Sequence, residues 1–210
     1  MLSLNPYIKI NKLLDYLKNI KAKDNKLPKV ILIFNDNFFD KKKFMNLKIP
    51  KKSALLLRSY NSKDRNKIAK QLLKFCKMKK IKLLIGSDIK LAEKINADGI
   101  HFPEYMLNKN IINKIAIKKI KSRKNKIITS AAHSLKSIKK AECFGIDAAL
   151  LSPIFPSKSH PKVKNLGLKK LNKILQKIEL PIYALGGINL KNVKSLSKTG
   201  IIGYAFQRGK

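Results

Sequence analysis

Eight short apolar runs alternate with helix-like segments along almost the whole chain, and this alternation strongly constrains the fold. The runs are "KVILIF" (29–34), "SALLLR" (53–58), "KLLIG" (82–86), "DGIHF" (98–102), "KIITSA" (126–131), "DAALLS" (147–152), "PIYAL" (181–185) and "IIGYAF" (201–206). Between most of them, apolar residues recur at intervals of three and four, which is typical of amphipathic helices. Continuous apolar strands that alternate with helices predict a parallel sheet covered by helices.

Eight strand–helix units predict one α/β domain over residues 1–210, a single (β/α)8 barrel. Residues 1–24 precede the first strand, and the spacing of Leu13, Leu14 and Leu17 indicates a short N-terminal helix there. Only four residues follow the last apolar run, so we expect the eighth helix to be absent or vestigial. A doubly wound open sheet is the alternative architecture.

The composition indicates a globular protein from a reducing compartment. Apolar residues make up 44% of the chain, which is enough for one sizeable core. No apolar run approaches the roughly 18 residues of a membrane span, and the N-terminal segment lacks a signal-peptide pattern. The two cysteines, Cys76 and Cys143, match no disulfide or metal motif. We therefore expect a cytoplasmic protein with no membrane partner.

The charge balance is strongly basic, with 48 lysine and arginine residues against 12 acidic ones and a net charge of +36. Nucleic-acid binding is one interpretation of this excess. However, nearly all of the basic residues are lysine, whereas base readout and bidentate phosphate contacts favour arginine. The lysines are also spread over the polar faces of the predicted helices. We favour a solvated lysine-rich surface, whose field would speed the capture of small anionic ligands.

Polar residues collect where the predicted strands end. In a (β/α)8 barrel, function lies at the carboxyl ends of the strands and in the loops that follow them. All three histidines of the chain fall on this rim, which favours a functional role, although their spacing does not match a metal site. The residues gathered by this rule are Arg58, Ser87, Asp88, His101, Glu104, Ser130, His133, His160, Gly186 and Gly187.

Two of these loops have unusual compositions. "ALGGIN" (184–189) runs from a predicted strand into Gly186 and Gly187 and then into a helix-like segment. Glycines let a ligand approach the backbone, and a helix N-terminus presents free N–H groups, so this loop predicts a phosphate site. "LLSPIFPSKSHP" (150–161) ends a buried strand in a loop that carries three prolines, three serines and no acidic residue.

Taken together, four segments resemble the thiamine phosphate synthase/TenI family. They are "IGSDIKLAEKINADGIHFPE" (85–104), "TSAAHSLKSIKKAECFGIDAALLSPIFPSKSHP" (129–161), "NLGLKKL" (165–171) and "PIYALGGINLKNV" (181–193). Arg58 stands at the place of the family's second-strand arginine, but the flanking glutamine and lysine of the family are Leu56 and Tyr60 here. The resemblance covers roughly residues 53 to 206.

The resemblance implies a TIM barrel that handles thiazole phosphate in vitamin B1 synthesis. It also implies that the loop after the sixth strand closes over phosphate groups. Ser157 and Ser159 stand where the family has threonines that bind the pyrophosphate, and His160 stands at the place of a loop lysine.

The chain departs from the family at the two positions that the resemblance assigns to magnesium. The first aspartate aligns with Ser87, and Asp88 lies one place later. The second aligns with Met106, and Glu104 lies two residues earlier. Because magnesium normally neutralises the departing pyrophosphate, these departures weigh against the full coupling reaction.

We therefore favour a TenI-like, metal-independent thiazole tautomerase that requires no cofactor. "AAHS" resembles the family's strand-five histidine motif, which implies that His133 shuttles the proton that aromatises the thiazole. Arg58 would be its second catalytic residue. The expected phosphate and substrate ligands are His101, Ser130, Ser157, Lys158, Ser159, His160, Gly186 and Gly187.

Two other functions remain open. A divergent thiamine phosphate synthase would couple a pyrimidine pyrophosphate to thiazole phosphate, with Asp88 or Glu104 binding magnesium. It would neutralise the pyrophosphate with Arg58, Lys158 and His160. A non-catalytic barrel would bind phosphate or nucleic acid through its positive charge, although nucleic acid is the less favoured partner. Under each interpretation the partners are mainly small anionic phosphates, and the chain could form a homo-oligomer.

Overall fold

In the computed structural model, which describes residues 6–19, 26–35, 44–122, 126–156 and 163–207 of the 210-residue chain, eight parallel strands close into a barrel. Each strand pairs with its neighbours in sequence, and the first pairs with the last through Val30 and Tyr204. The predicted (β/α)8 barrel is thus confirmed, and the closed sheet excludes the open alternative. The strands are β1 (Val30–Phe34), β2 (Ser53–Leu57), β3 (Lys82–Gly86), β4 (Gly99–Phe102), β5 (Ile127–Ala132), β6 (Ala148–Leu151), β7 (Ile182–Leu185) and β8 (Gly203–Gln207).

Helices follow most strands and cover the outside of the barrel. Within the described ranges, no helix is both long and apolar enough to cross a membrane. The helices are α1 (Pro6–Lys18), α2 (Arg65–Lys79), α3 (Ile89–Lys94), α4 (Glu104–Asn108), α5 (Lys114–Lys121), α6 (Leu135–Cys143), α7 (Gly167–Leu175) and α8 (Val193–Ser197).

Strand side chains alternate between the barrel interior and the layer beneath the helices. Ile33, Leu56 and Leu84 belong to a buried cluster formed mainly by strand residues, which fills the interior. Leu55 and Leu83 belong to a second cluster that also contains residues of the helices. Because both faces of each strand are buried, the strands read as continuous apolar runs, and this is why they could be recognised in the sequence.

Helix α1 packs beside β8. Tyr204 of β8 is close enough to Tyr16 of α1 for the two phenols to interact, and burial together with Tyr16 raises the pKa of Tyr204 to about 12. No helix follows β8 in the described part of the chain, so α1 covers this side of the barrel. The α1 side chains that are at most 1% exposed are Ile10, Leu13, Leu14 and Leu17.

The two cysteines differ sharply in accessibility, and this gives a first test of the packing. Cys76 lies on the buried face of α2, and burial, assisted by Asp98, raises its pKa to about 12. Cys143 is exposed. Since the thiolate is the reactive form, we expect Cys143 alone to react with an aromatic disulfide reagent in the folded protein. Rapid labelling of native Cys143→Ser would contradict this packing.

Candidate active site

Four polar side chains lie toward the carboxyl ends of β2, β4, β5 and β8, which is the end where the sequence predicts the site. Arg58 Nη1 donates a hydrogen bond to Gln207 Oε1 at 3.1 Å. His101 Nδ1 lies 2.9 Å from Thr129 Oγ1. These four side chains lie on the same face of their strands as the residues of the interior cluster. They therefore form the floor of the opening at this end of the barrel.

His101 is a neutral part of this floor. Its side chain is only 2% exposed, and burial, together with the nearby Arg58 charge, lowers its pKa from 6.5 to about 3. An imidazole that stays uncharged at neutral pH brings no positive charge to an anionic ligand. His101 could therefore contact a substrate only as an uncharged group. Its ring is buried against Thr129.

The low pKa of His101 predicts a pH-dependent contribution to stability. Its folded pKa lies below the unfolded value of about 6.5, so the unfolded chain binds the extra proton. The contribution is fully present above about pH 6.5 and is lost as the pH falls toward 3. At pH 4.5 the loss amounts to about 3 kcal/mol.

The matched variant for this prediction is His101→Asn. We expect the drop in its unfolding free energy between pH 7 and pH 4.5 to be smaller than in the parent chain by about 3 kcal/mol. Urea unfolding at the two pH values measures both drops. An equal drop in the two proteins would show that His101 does not carry the effect.

Tyr60, just after β2, lies against two arginines. The guanidinium carbon of Arg58 is 5.9 Å from the centroid of the Tyr60 ring, and that of Arg65 is 5.7 Å away. Both distances are within cation–π range. The ring also lies against Gly86, where an added Cβ would come within 2.8 Å of Tyr60 Cε1. A glycine at the end of β3 is therefore needed to accommodate the ring.

Arg65, at the start of α2, links this cluster to the loop after β3. It donates hydrogen bonds to the carbonyl of Gly86 and, at 3.3 Å, to Asp88 Oδ2. Its side chain is 13% exposed, and Nε has no hydrogen-bond partner among the described residues. Arg65 is not among the site residues predicted from strand ends, because it begins a helix. The available signal was that Arg65 is one of very few arginines in a lysine-rich chain.

The carboxylates that the synthase alternative assigns to magnesium are engaged elsewhere. Asp88 Oδ1 caps α3 by accepting a hydrogen bond from Leu91 N at 2.9 Å, and Asp88 Oδ2 pairs with Arg65. Glu104 Oε2 lies 3.7 Å from His133 Nε2. Across the described ranges, no group of three or more histidine, cysteine or acidic side chains could hold a metal ion. Magnesium is usually held by one or two carboxylates together with substrate phosphates, and both oxygens of Asp88 already have protein partners, so Asp88 would have to give up a contact to bind the ion.

His133, after β5, is held by contacts at both ring nitrogens. Nδ1 lies 2.7 Å from the carbonyl oxygen of Ser152. Because a carbonyl can only accept, Nδ1 carries a proton. Nε2 faces Glu104, and the His133 side chain is 56% exposed. This arrangement fixes the ring and leaves Nε2 as the nitrogen that could exchange a proton with a ligand.

The glycine pair lets two loops pack together. Gly186 and Gly187 have φ values of +93° and +68°. A Cβ at Gly187 would lie 2.6 Å from the carbonyl oxygen of Phe155, whose N–H donates to the Gly186 carbonyl at 3.1 Å. A helix follows the pair, as expected, but α8 begins only at Val193 and is five residues long, so its N-terminus does not adjoin the glycines. Phosphate binding by the pair stays a prediction.

Residues 47–209 match the family described as thiamine monophosphate synthase. The chain belongs to this family. The resemblance read from the four sequence segments is therefore confirmed.

Individual members of the thiamine monophosphate synthase family cover most of the chain. It is 38% identical over 162 residues to "Putative thiamine-phosphate synthase 2" of Aquifex aeolicus, covering 75% of this chain and 83% of that protein. It is 35% identical over 191 residues to the thiamine-phosphate synthase of Pelagibacter ubique, covering 90% and 84%. The solved thiamine phosphate pyrophosphorylase of Pyrococcus furiosus has a TM-score of 0.67 at 25% identity, covering 87% and 86%.

These names favour one of the two candidate enzymes. The relatives carry synthase names, so the comparisons favour the synthase alternative over the tautomerase that the sequence analysis preferred. The broader expectation, an enzyme family of thiamine biosynthesis that uses phosphorylated small substrates, is supported by the family match.

Ser130 does not lie at the mouth of this synthase-family barrel. Its side chain shares the outward parity of Ile128 and Ala132, which belong to the layer beneath the helices. It is fully buried, and its Oγ has no hydrogen-bond partner within the described residues. A phosphate-binding role does not fit this position, and Thr129 is the residue that faces inward. Four other predicted ligands lie outside the described residues: Ser157, Lys158, Ser159 and His160.

Proposed function

We propose that the chain is a thiamine-phosphate synthase, which joins a pyrimidine pyrophosphate to thiazole phosphate and releases pyrophosphate. The observation that carries the proposal is the similarity to proteins named as synthases over 75% and 90% of the chain. The mouth geometry is compatible with it, since Arg58 offers a fixed cation at the floor of the site.

The chemistry requires charge stabilisation more than proton transfer. The C–O bond between the pyrimidine methylene and pyrophosphate breaks, and its electron pair leaves with the pyrophosphate. The lone pair of the thiazole nitrogen forms the new C–N bond. Negative charge therefore grows on the leaving oxygens, and a guanidinium already held in place stabilises it without reorganisation. Gln207 and Tyr60 hold Arg58 for that role.

A thiazole tautomerase is the second candidate, because His133 has the geometry of a proton shuttle. Its Nδ1 is tied to the Ser152 carbonyl, and its Nε2 faces Glu104 at 3.7 Å. In a tautomerase, Nε2 would take up a proton from one atom of the thiazole and return it to another. Tautomerisation would need this step and no leaving-group stabilisation.

Product analysis by mass spectrometry separates the two candidates. In separate reactions, purified protein receives thiazole phosphate with and without the pyrimidine pyrophosphate, or the non-aromatic tautomer of thiazole carboxylate phosphate alone. Magnesium is in the buffer throughout. Thiamine phosphate that forms only with both substrates, and is lost in Arg58→Met, supports the synthase. Aromatised thiazole that forms from the single substrate, and is lost in His133→Asn, supports the tautomerase. No product under either condition would contradict both.

A further inference from the structure

We propose that Arg58, Tyr60 and Arg65 form an arginine clamp that binds the pyrophosphate group in place of a carboxylate-held magnesium ion. The identity of the ligand rests on the proposed synthase function. The clamp itself rests on the contacts of these three side chains and on the engagement of Asp88 elsewhere.

The Tyr60 ring contacts two guanidinium groups, at a position where the family resemblance implies a lysine. A tyrosine removes that lysine charge, but its ring lies within 5.9 Å of one guanidinium carbon and 5.7 Å of the other. Burial raises the pKa of Tyr60, against the opposing effect of Arg58 and Arg65. The phenol therefore stays neutral, and it does not cancel the charge of the two arginines.

Each guanidinium is held by oxygens of the protein. Gln207 Oε1 accepts from Arg58 at 3.1 Å, and the Gly86 carbonyl and Asp88 accept from Arg65. A guanidinium has five N–H donors, so each arginine keeps donors beyond those that the protein uses. Cations fixed before the ligand arrives bind an anion at a smaller entropic cost than free side chains do.

Asp88 belongs to this arrangement as a partner of Arg65. One of its oxygens caps α3 and the other contacts Arg65. Two arginines against one aspartate leave net positive charge on this side of the mouth. That charge can neutralise a phosphate group, which is the role that the resemblance gives to a metal ion.

Calorimetric titration with inorganic pyrophosphate, in buffer containing EDTA, tests the clamp without relying on catalysis. We expect the parent chain to bind pyrophosphate, and Arg65→Met to bind it about tenfold more weakly, a loss of about 1.4 kcal/mol. Lys67→Met is the matched control, because Lys67 is an exposed residue of the same helix and the variant loses the same charge. It should change the affinity by less than about twofold.

The variant Arg65→Lys shows whether Arg65 acts through its positive charge or only through its contacts within the protein. It keeps the cation and loses the planar fork, so we expect its pyrophosphate affinity to lie between those of the parent chain and Arg65→Met. Equal losses in Arg65→Lys and Arg65→Met would indicate a purely structural role and would overturn the clamp. Equal losses in Arg65→Met and Lys67→Met would overturn it as well.

Asp88→Asn tests the metal directly, because asparagine caps a helix as well as aspartate does but brings no charge. We expect it to bind pyrophosphate in EDTA at least as tightly as the parent chain. Binding that appears only with magnesium and disappears in Asp88→Asn would overturn the proposal.

If the predicted binding pattern is found but no thiamine phosphate forms, the proposed function fails and the clamp stands. If thiamine phosphate forms but Arg65→Met binds like the parent, only the clamp fails.

Discussion

Replacing Arg58 by methionine is expected to lower the kcat of thiamine phosphate formation by about 100- to 1000-fold, the usual cost of removing one fixed donor from a developing negative charge. Methionine keeps an apolar stem of similar length, so packing at the mouth should change little. Steady-state kinetics with both substrates measures the effect, and thermal unfolding checks that the variant is folded.

Two further variants show how much of the kcat effect comes from the charge of Arg58 and how much from its fixed position. Arg58→Lys keeps the charge but cannot reproduce the fork that reaches Gln207, so its kcat should lie between those of the parent and Arg58→Met. Gln207→Leu leaves Arg58 in place without its hydrogen bond, and we expect a smaller loss, about tenfold in kcat. If Arg58→Met retains kcat within about threefold of the parent, Arg58 does not stabilise the leaving group.

Gly187→Ala is expected to lower the unfolding free energy by about 2–5 kcal/mol, the largest stability effect predicted here. The φ of +68° is strained for alanine, and the new Cβ would overlap the backbone oxygen of Phe155. The strain of a positive φ accounts for about 1–2 kcal/mol, and the overlap for about 1–3 kcal/mol. Urea unfolding of the variant and the parent measures the sum.

Gly145→Ala is the matched control for this prediction. Gly145 has a similar φ of +73°, but apart from its chain neighbours no atom of the described residues lies within 4 Å of the position that its Cβ would take. Its cost should therefore be the strain alone, about 1–2 kcal/mol. An equal cost at the two positions would show that the loop after β6 does not press on Gly187 and would contradict the packing described for the glycine pair.

The barrel could be predicted because its strands are buried on both faces. A strand such as Val30–Phe34 therefore has no polar alternation, and eight such runs can be counted directly in the sequence. The direction of individual side chains was harder to predict. In "KIITSA" both faces carry small or apolar residues, so the pattern does not show that Thr129 faces inward and Ser130 outward.

The site was only partly predictable, because its contacts join distant parts of the chain. Arg58 was found from its position after a strand, but its partner Gln207 lies 149 residues away and meets it only when the barrel closes. Asp88 and Glu104 were magnesium ligands only under the synthase alternative. Their engagement by Arg65 and His133 depends on where α2 and α4 begin, and the sequence does not fix those positions closely enough.

The most direct test of the central claim is phosphorus NMR of the protein mixed with the pyrimidine pyrophosphate and thiazole phosphate. The synthase account predicts that pyrophosphate and thiamine phosphate appear in equal amounts, and that neither forms when one substrate is left out. It also predicts that Arg58→Met forms both far more slowly. Pyrimidine pyrophosphate that remains intact in the complete mixture, or thiazole phosphate that is converted on its own, would contradict the account.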